Sequence, residues 1–78
     1  MLKLINKASL MINFNDKSIR VADVKIFDAA GRMIESYVGV RVDNGTAIVK
    51  FGSSLRNGVY FVKVKAGATE YSEKVILR

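Results

Sequence analysis

Short runs in which apolar and polar residues alternate, each closed by a glycine or a polar turn, recur from one end of this chain to the other. In residues 8–14, Leu10, Ile12 and Phe14 fall on one side and Ser9, Met11 and Asn13 on the other. Residues 23–28 set Val24 and Ile26 against Lys25, and residues 60–65 set Tyr60, Val62 and Val64 against Lys63 and Lys65. The last run aligns Tyr71, Glu73, Val75 and Leu77 against Ser72, Lys74, Ile76 and Arg78. Residues 46–51 are apolar on both faces in their middle, with Lys50 at one edge. A period of two is that of a strand, whose successive side chains point to opposite faces. Valine, isoleucine, phenylalanine and tyrosine suit a half-buried pleated surface. No window of about ten residues carries the i, i+3, i+4 stripe of an amphipathic helix, so helix has no substantial part in the fold.

The polar punctuation predicts where the chain reverses. Asp28-Ala29-Ala30-Gly31 places Asp first and Gly fourth, the chemistry of a type I turn closed by a left-handed glycine. Asp43-Asn44-Gly45 predicts a hairpin, since Asn-Gly accepts the positive φ of a type I′ turn. Arg56-Asn57-Gly58 repeats that signal, Ala66-Gly67-Ala68 separates the last two runs, and Asn15-Asp16-Lys17-Ser18 is a weaker polar turn. Turn signals spaced roughly ten residues apart predict an all-β fold. The expectation is a small immunoglobulin-like antiparallel β-sandwich of about six or seven strands. Its core is expected to hold Leu10, Ile12, Val24, Ile26, Ile34, Ile48, Tyr60, Val62, Val64, Val75 and Leu77.

With 78 residues the chain makes one domain, here 1–78, with residues 1–7 read as a linker or domain edge. It has no Cys, His or Pro. It therefore lacks disulfides, the usual zinc and haem ligands, and any triad or dyad with a histidine base. An enzyme is not expected, nor a cofactor or bound metal. The formal charge of +6 comes from 13 Lys and Arg against 7 Asp and Glu, spread along the chain. No run of about five like charges marks a basic tail, so the lysines read as solvated sheet faces and no nucleic-acid partner is expected. The longest apolar runs fall far below the ~20 residues of a spanning helix, and membrane insertion is not expected. The start carries an early lysine but no apolar core of a signal peptide.

Three segments, taken together, carry a family resemblance. Val24-Lys25-Ile26-Phe27-Asp28-Ala29-Ala30-Gly31-Arg32-Met33-Ile34, Leu55-Arg56-Asn57-Gly58-Val59-Tyr60-Phe61-Val62-Lys63-Val64 and Glu73-Lys74-Val75-Ile76-Leu77-Arg78 resemble, in order and spacing, segments of type A C-terminal sorting domains. These are signals of the type IX secretion system of certain Gram-negative bacteria. The chain departs from the family at its start: there is no proline-containing opening segment, and of that segment Leu4-Ile5-Asn6-Lys7-Ala8 keeps only the Asn.

The resemblance implies a sandwich of about seven strands at the C-terminus of a larger secreted precursor. It implies an N-terminal cargo domain in the same precursor, an outer-membrane translocon that reads the signal, and a sortase-like cysteine protease that removes it. The path it implies leads through the periplasm to the cell surface or the extracellular space. The residues it singles out for recognition are Gly31, Arg32, Gly58, Tyr60 and the terminal run Lys74, Val75, Ile76, Leu77 and Arg78. Gly31 and Gly58 also read as turn glycines, and Tyr60 as a core tyrosine with its hydroxyl at a polar rim. An alternative is a structural spacer or a carbohydrate-binding module of a surface protein. The latter needs aromatic platforms, for which Tyr37 and Tyr71 are the candidates.

Overall fold

Each alternating run becomes a strand in the computed structural model, which describes residues 2–6, 8–52 and 55–78. The strands are β1 (Leu2–Asn6), β2 (Ser9–Asn13), β3 (Val21–Asp28), β4 (Met33–Arg41), β5 (Thr46–Lys50), β6 (Gly58–Ala66) and β7 (Thr69–Leu77). They form two antiparallel sheets, one in the order β1-β2-β5 and the other in the order β4-β3-β6-β7. The small β-sandwich expected from the alternation is therefore the fold. Leu2–Asn6, read from the sequence as part of a linker, is instead a strand paired with β2, and its Leu2 is buried. The remainder of that reading, at Met1 and Lys7, lies outside the described residues.

Both sheets feed one core. Leu10, Ile12, Phe14, Ala47, Val49 and Phe51 enter from the three-stranded side, and Ala22, Val24, Ile26, Val62, Val64 and Ala66 from the other. Of the expected core, Leu10, Ile12, Val24, Ile26, Val62, Val64 and Leu77 are buried, while Ile34, Tyr60 and Val75 pack half-buried against it. Ile48 is the exception, 53% exposed on the outer face. The register explains it: β5 pairs Ala47 with Ile12 and Val49 with Leu10, so these share the inner face. Turning Ile48 inward would turn Ala47 and Val49 out, because side chains alternate strictly along a strand.

Most turns follow their chemistry. Arg56-Asn57-Gly58 forms no I′ turn, since Asn57 has no positive φ and Gly58, at φ 154, opens β6. Another turn serves a different purpose from the one expected. Asn44 at φ 51 and Gly45 at φ 80 form the type I′ turn, and Asp43 and Thr46 exchange backbone hydrogen bonds of 2.8 and 3.0 Å. Yet β4 and β5 belong to different sheets, and that one bridge is all that joins the flanking residues as a hairpin. The turn is a corner between sheets. It is fastened by the Phe14 N–H, which donates to the Gly45 carbonyl at 2.7 Å, and by the Val42 N–H, which donates to the Arg20 carbonyl at 2.8 Å.

Candidate functional site

The antiparallel order sets the end of β3, the start of β4, the start of β6 and the end of β7 at one end of the larger sheet. Along one row Asp28 pairs with Tyr60 and Tyr60 with Val75, while in the rows beyond Phe61 pairs with Lys74 and Gly58 with Leu77. The three motif segments, far apart in sequence, thus converge there.

At the β3–β4 tip, Gly31 adopts φ 87 and its N–H donates to the Asp28 carbonyl at 3.0 Å. The Asp28 carboxylate accepts from the backbone N–H groups of Arg32 at 2.9 Å and Ala30 at 3.0 Å. Its other oxygen takes the Arg32 Nε at 3.2 Å. The Arg32 backbone bond, followed by the Ala30 bond and the guanidinium charge, holds the Asp28 carboxyl below its ordinary value. Arg32 is tethered in this way while its side chain stays 82% exposed, presenting a fixed cation to solvent.

Beside it, Tyr60 buries part of its ring and donates its hydroxyl to the Arg56 carbonyl at 2.7 Å, which fixes the chain as it enters β6 from the other sheet. The terminal run divides by face. Leu77 is buried in the core and Val75 half-buried, whereas Lys74, Ile76 and Arg78 are exposed. Only those three offer whole side chains to a partner while the domain is folded.

A feature absent from the sequence reading lies on the outer face of this same end. Met33, Phe61 and Ile76 are 51%, 40% and 46% exposed. Phe27 lies between Met33 and Phe61 by cross-strand pairing, and Val59 pairs with Ile76. The signal was present: Phe61 and Ile76 share the phase of Lys63 and Lys74, a face that reads as solvated when only its lysines are counted. Lys63 covers the Phe27 ring, its Nζ 5.6 Å from the centroid. Apolar and aromatic side chains with Lys74 paired beside Phe61 have the composition of a protein-binding surface, while Arg32, held on Asp28, stands at the tip of the same sheet end.

The tyrosines considered as sugar platforms are committed elsewhere. Tyr37 is half-buried, donates its hydroxyl to Glu35 and accepts from the Gly52 N–H at 3.2 Å. Burial, and then the bond to Glu35, push its hydroxyl pKa up. Tyr71 packs edge-to-face on Phe14, with ring centroids 6.4 Å apart, and burial raises its pKa too. The opposite end of the domain gathers Lys17, Arg20 and Arg41 around one polar cleft of about 480 Å³, so charges spread along the sequence are partly collected by the fold.

A small sandwich of two antiparallel sheets thus sets three separate motif segments, exposed apolar side chains and the tethered Arg32 at one end. The chain belongs to the family of secretion system C-terminal sorting domains, whose model matches residues 6–78. The sorting domain is that of type IX secretion, a signal on a larger precursor that directs export toward the cell surface or the extracellular space. No curated protein matches the chain.

Proposed function

We propose that this domain is read by the type IX outer-membrane translocon through the motif end of its four-stranded sheet. On this reading Arg32, Lys74, Ile76 and Arg78 make the contacts. Gly31, Gly58, Tyr60, Val75 and Leu77 hold those side chains in place. The observation that carries the reading is the convergence of the three motif segments at one sheet end, beside the exposed Met33, Phe61 and Ile76. The cargo lies N-terminal in the same precursor and crosses the periplasm before export. A sortase-like cysteine protease then separates cargo from signal, a step that the family resemblance supports.

The test is a reporter fused ahead of this chain, expressed in hosts with and without the secretion machinery. Export is expected only in the first host. It is expected to fall when Arg32, Lys74 and Arg78 are replaced together by glutamate, in a protein whose thermal unfolding is unchanged. A reporter retained in the periplasm of both hosts would refute the sorting role, and undiminished export of the triple variant would refute the assigned contacts.

A further inference from the structure

The sandwich has four strand edges, and three of them are blunted. β1 and β5 have five residues each, and β1 carries a bulge where Leu4 and Asn6 pair with Leu10 and Ser9. β4 is longer but carries two irregularities, an extra residue opposite Asp23 and another between Met33 and Glu35. Short edges and bulges are the usual protection against pairing with another chain. β7 has neither. It runs nine residues from Thr69 to Leu77, in unbroken register with β6 on one side and with no strand on the other among the described residues.

The two-residue loop Gly67–Ala68 decides which backbone groups this edge offers. In such a hairpin the flanking pair, Ala66 and Thr69, exchanges both hydrogen bonds, and bonded and non-bonded pairs then alternate. The N–H and C=O groups of Thr69, Tyr71, Glu73, Val75 and Leu77 therefore face β6. Those of Glu70, Ser72, Lys74 and Ile76 face outward. Alongside the first half of β7 runs a largely apolar groove of about 600 Å³, lined by Phe14, Ile19, Thr69, Tyr71 and Glu73 together with the polar residues around Asn15. No β6 residue lines it, so it lies on the open side of the strand. A strand added to β7 would send alternate side chains into this groove and the others to the outer face, beside Glu70, Ser72, Lys74 and Ile76, with Lys63 and Lys65 one strand further in.

We propose that β7 is the docking edge of the domain, extended by a strand from a partner protein whose inward side chains are apolar and whose outward side chain beside Lys74 is acidic. Backbone pairing supplies the grip and the groove supplies the selection, as in other strand-addition complexes. The charge of +6 argues against a second copy as occupant, because two such domains repel. The inference rests on the sorting reading and names how the machinery holds the signal.

Two variants of the full chain, each fused to the reporter, test it. Ser72→Pro removes one outward donor and leaves the β6 ladder intact, a position where an edge strand accepts proline. Asn15→Trp adds an indole at the rim of the groove, from a residue that is exposed. Thermal unfolding checks that each variant folds, and either folded variant decides the matter. Export is expected to fall about threefold to tenfold in both, the weight of a lost interstrand bond and a blocked edge. Wild-type export matched by the folded variants would overturn the docking edge and leave the sorting role standing. Failure of the wild type itself to be exported would remove both. A purified chain that dimerises, with the dimer abolished by Ser72→Pro, would make a second copy the occupant and overturn the assignment to a partner.

Discussion

Replacing Gly45 by alanine tests the corner that turns the chain from one sheet to the other. Gly45 sits at φ +80, and a Cβ there would come within 2.9 Å of the Phe14 carbonyl oxygen and 2.9 Å of Lys17 Cδ. The lysine can swing away. The carbonyl cannot, because the Phe14 N–H is itself bonded to the Gly45 carbonyl at 2.7 Å and Phe14 is buried. Left-handed backbone at a residue with a Cβ costs about 1–2 kcal/mol, and forcing an atom into packed surroundings about 1–3 kcal/mol more. A loss of about 3 kcal/mol is expected for Gly45→Ala, from a domain whose size implies roughly 4–12 kcal/mol in all. In thermal unfolding followed by circular dichroism, Tm should fall by roughly 15 °C. Gly31 is the control, at φ +87 with nothing within 4 Å of a Cβ, so Gly31→Ala should lose only the backbone strain of about 1 kcal/mol. Asparagine separates the two effects because it tolerates positive φ but still carries a Cβ. Gly31→Asn should be near neutral, and Gly45→Asn should remain well below wild type. Recovery of wild-type stability by Gly45→Asn would show that the contact with the Phe14 carbonyl does not limit the corner, and the reasoning would fail.

Other consequences are open to the same measurements. Ile12→Ala, at a fully buried position, should cost about 2–5 kcal/mol in urea unfolding, whereas Ile48→Thr should stay within about 0.5 kcal/mol if β5 is in the phase described. Tyr60→Phe removes the bond to the Arg56 carbonyl and should cost about 0.5–1.5 kcal/mol, with β6 amides near Gly58 exchanging faster. The Asp28 carboxyl is depressed in the folded state from an ordinary value of 3.8. Its contribution is therefore complete above that value and is lost as pH falls through the lower folded-state pKa. Asp28→Asn should flatten the acid limb of stability below about pH 4, and an unchanged limb would remove Asp28 as its cause.

Local chemistry was the legible part of this chain. Asp28-Ala29-Ala30-Gly31 and Asp43-Asn44-Gly45 form the turns their residues demand, since a positive φ is decided within a few atoms of the backbone. What such a turn joins is not local. The I′ turn at Asn44-Gly45 reads as a hairpin, yet here it carries the chain across the core, because buried Val42 on one side and Ala47 and Val49 on the other point into the same interior. Ile48 faces outward for a related reason. Its run is apolar on both faces, and only pairing with β2 selects which face is inner.

The candidate site divides along the same line. Its motif segments were visible as strings, but their meeting at one sheet end depends on β3 and β7 both flanking β6 in the sheet. The docking edge lay deeper still. A run such as Thr69–Leu77 has the same alternation whether it sits inside a sheet or at its margin. Its place at the margin follows from strand order, and the outward direction of Ser72 and Lys74 from the two-residue loop that starts the strand. An insertion of one residue into that loop would exchange the outward and inward backbone groups if the pairing shifted with it, while moving Tyr71 and Val75 off the core. The burial of Leu77 opposes such a slip. The side chain that anchors the terminal strand in the core is thus also the one that keeps its docking groups facing out.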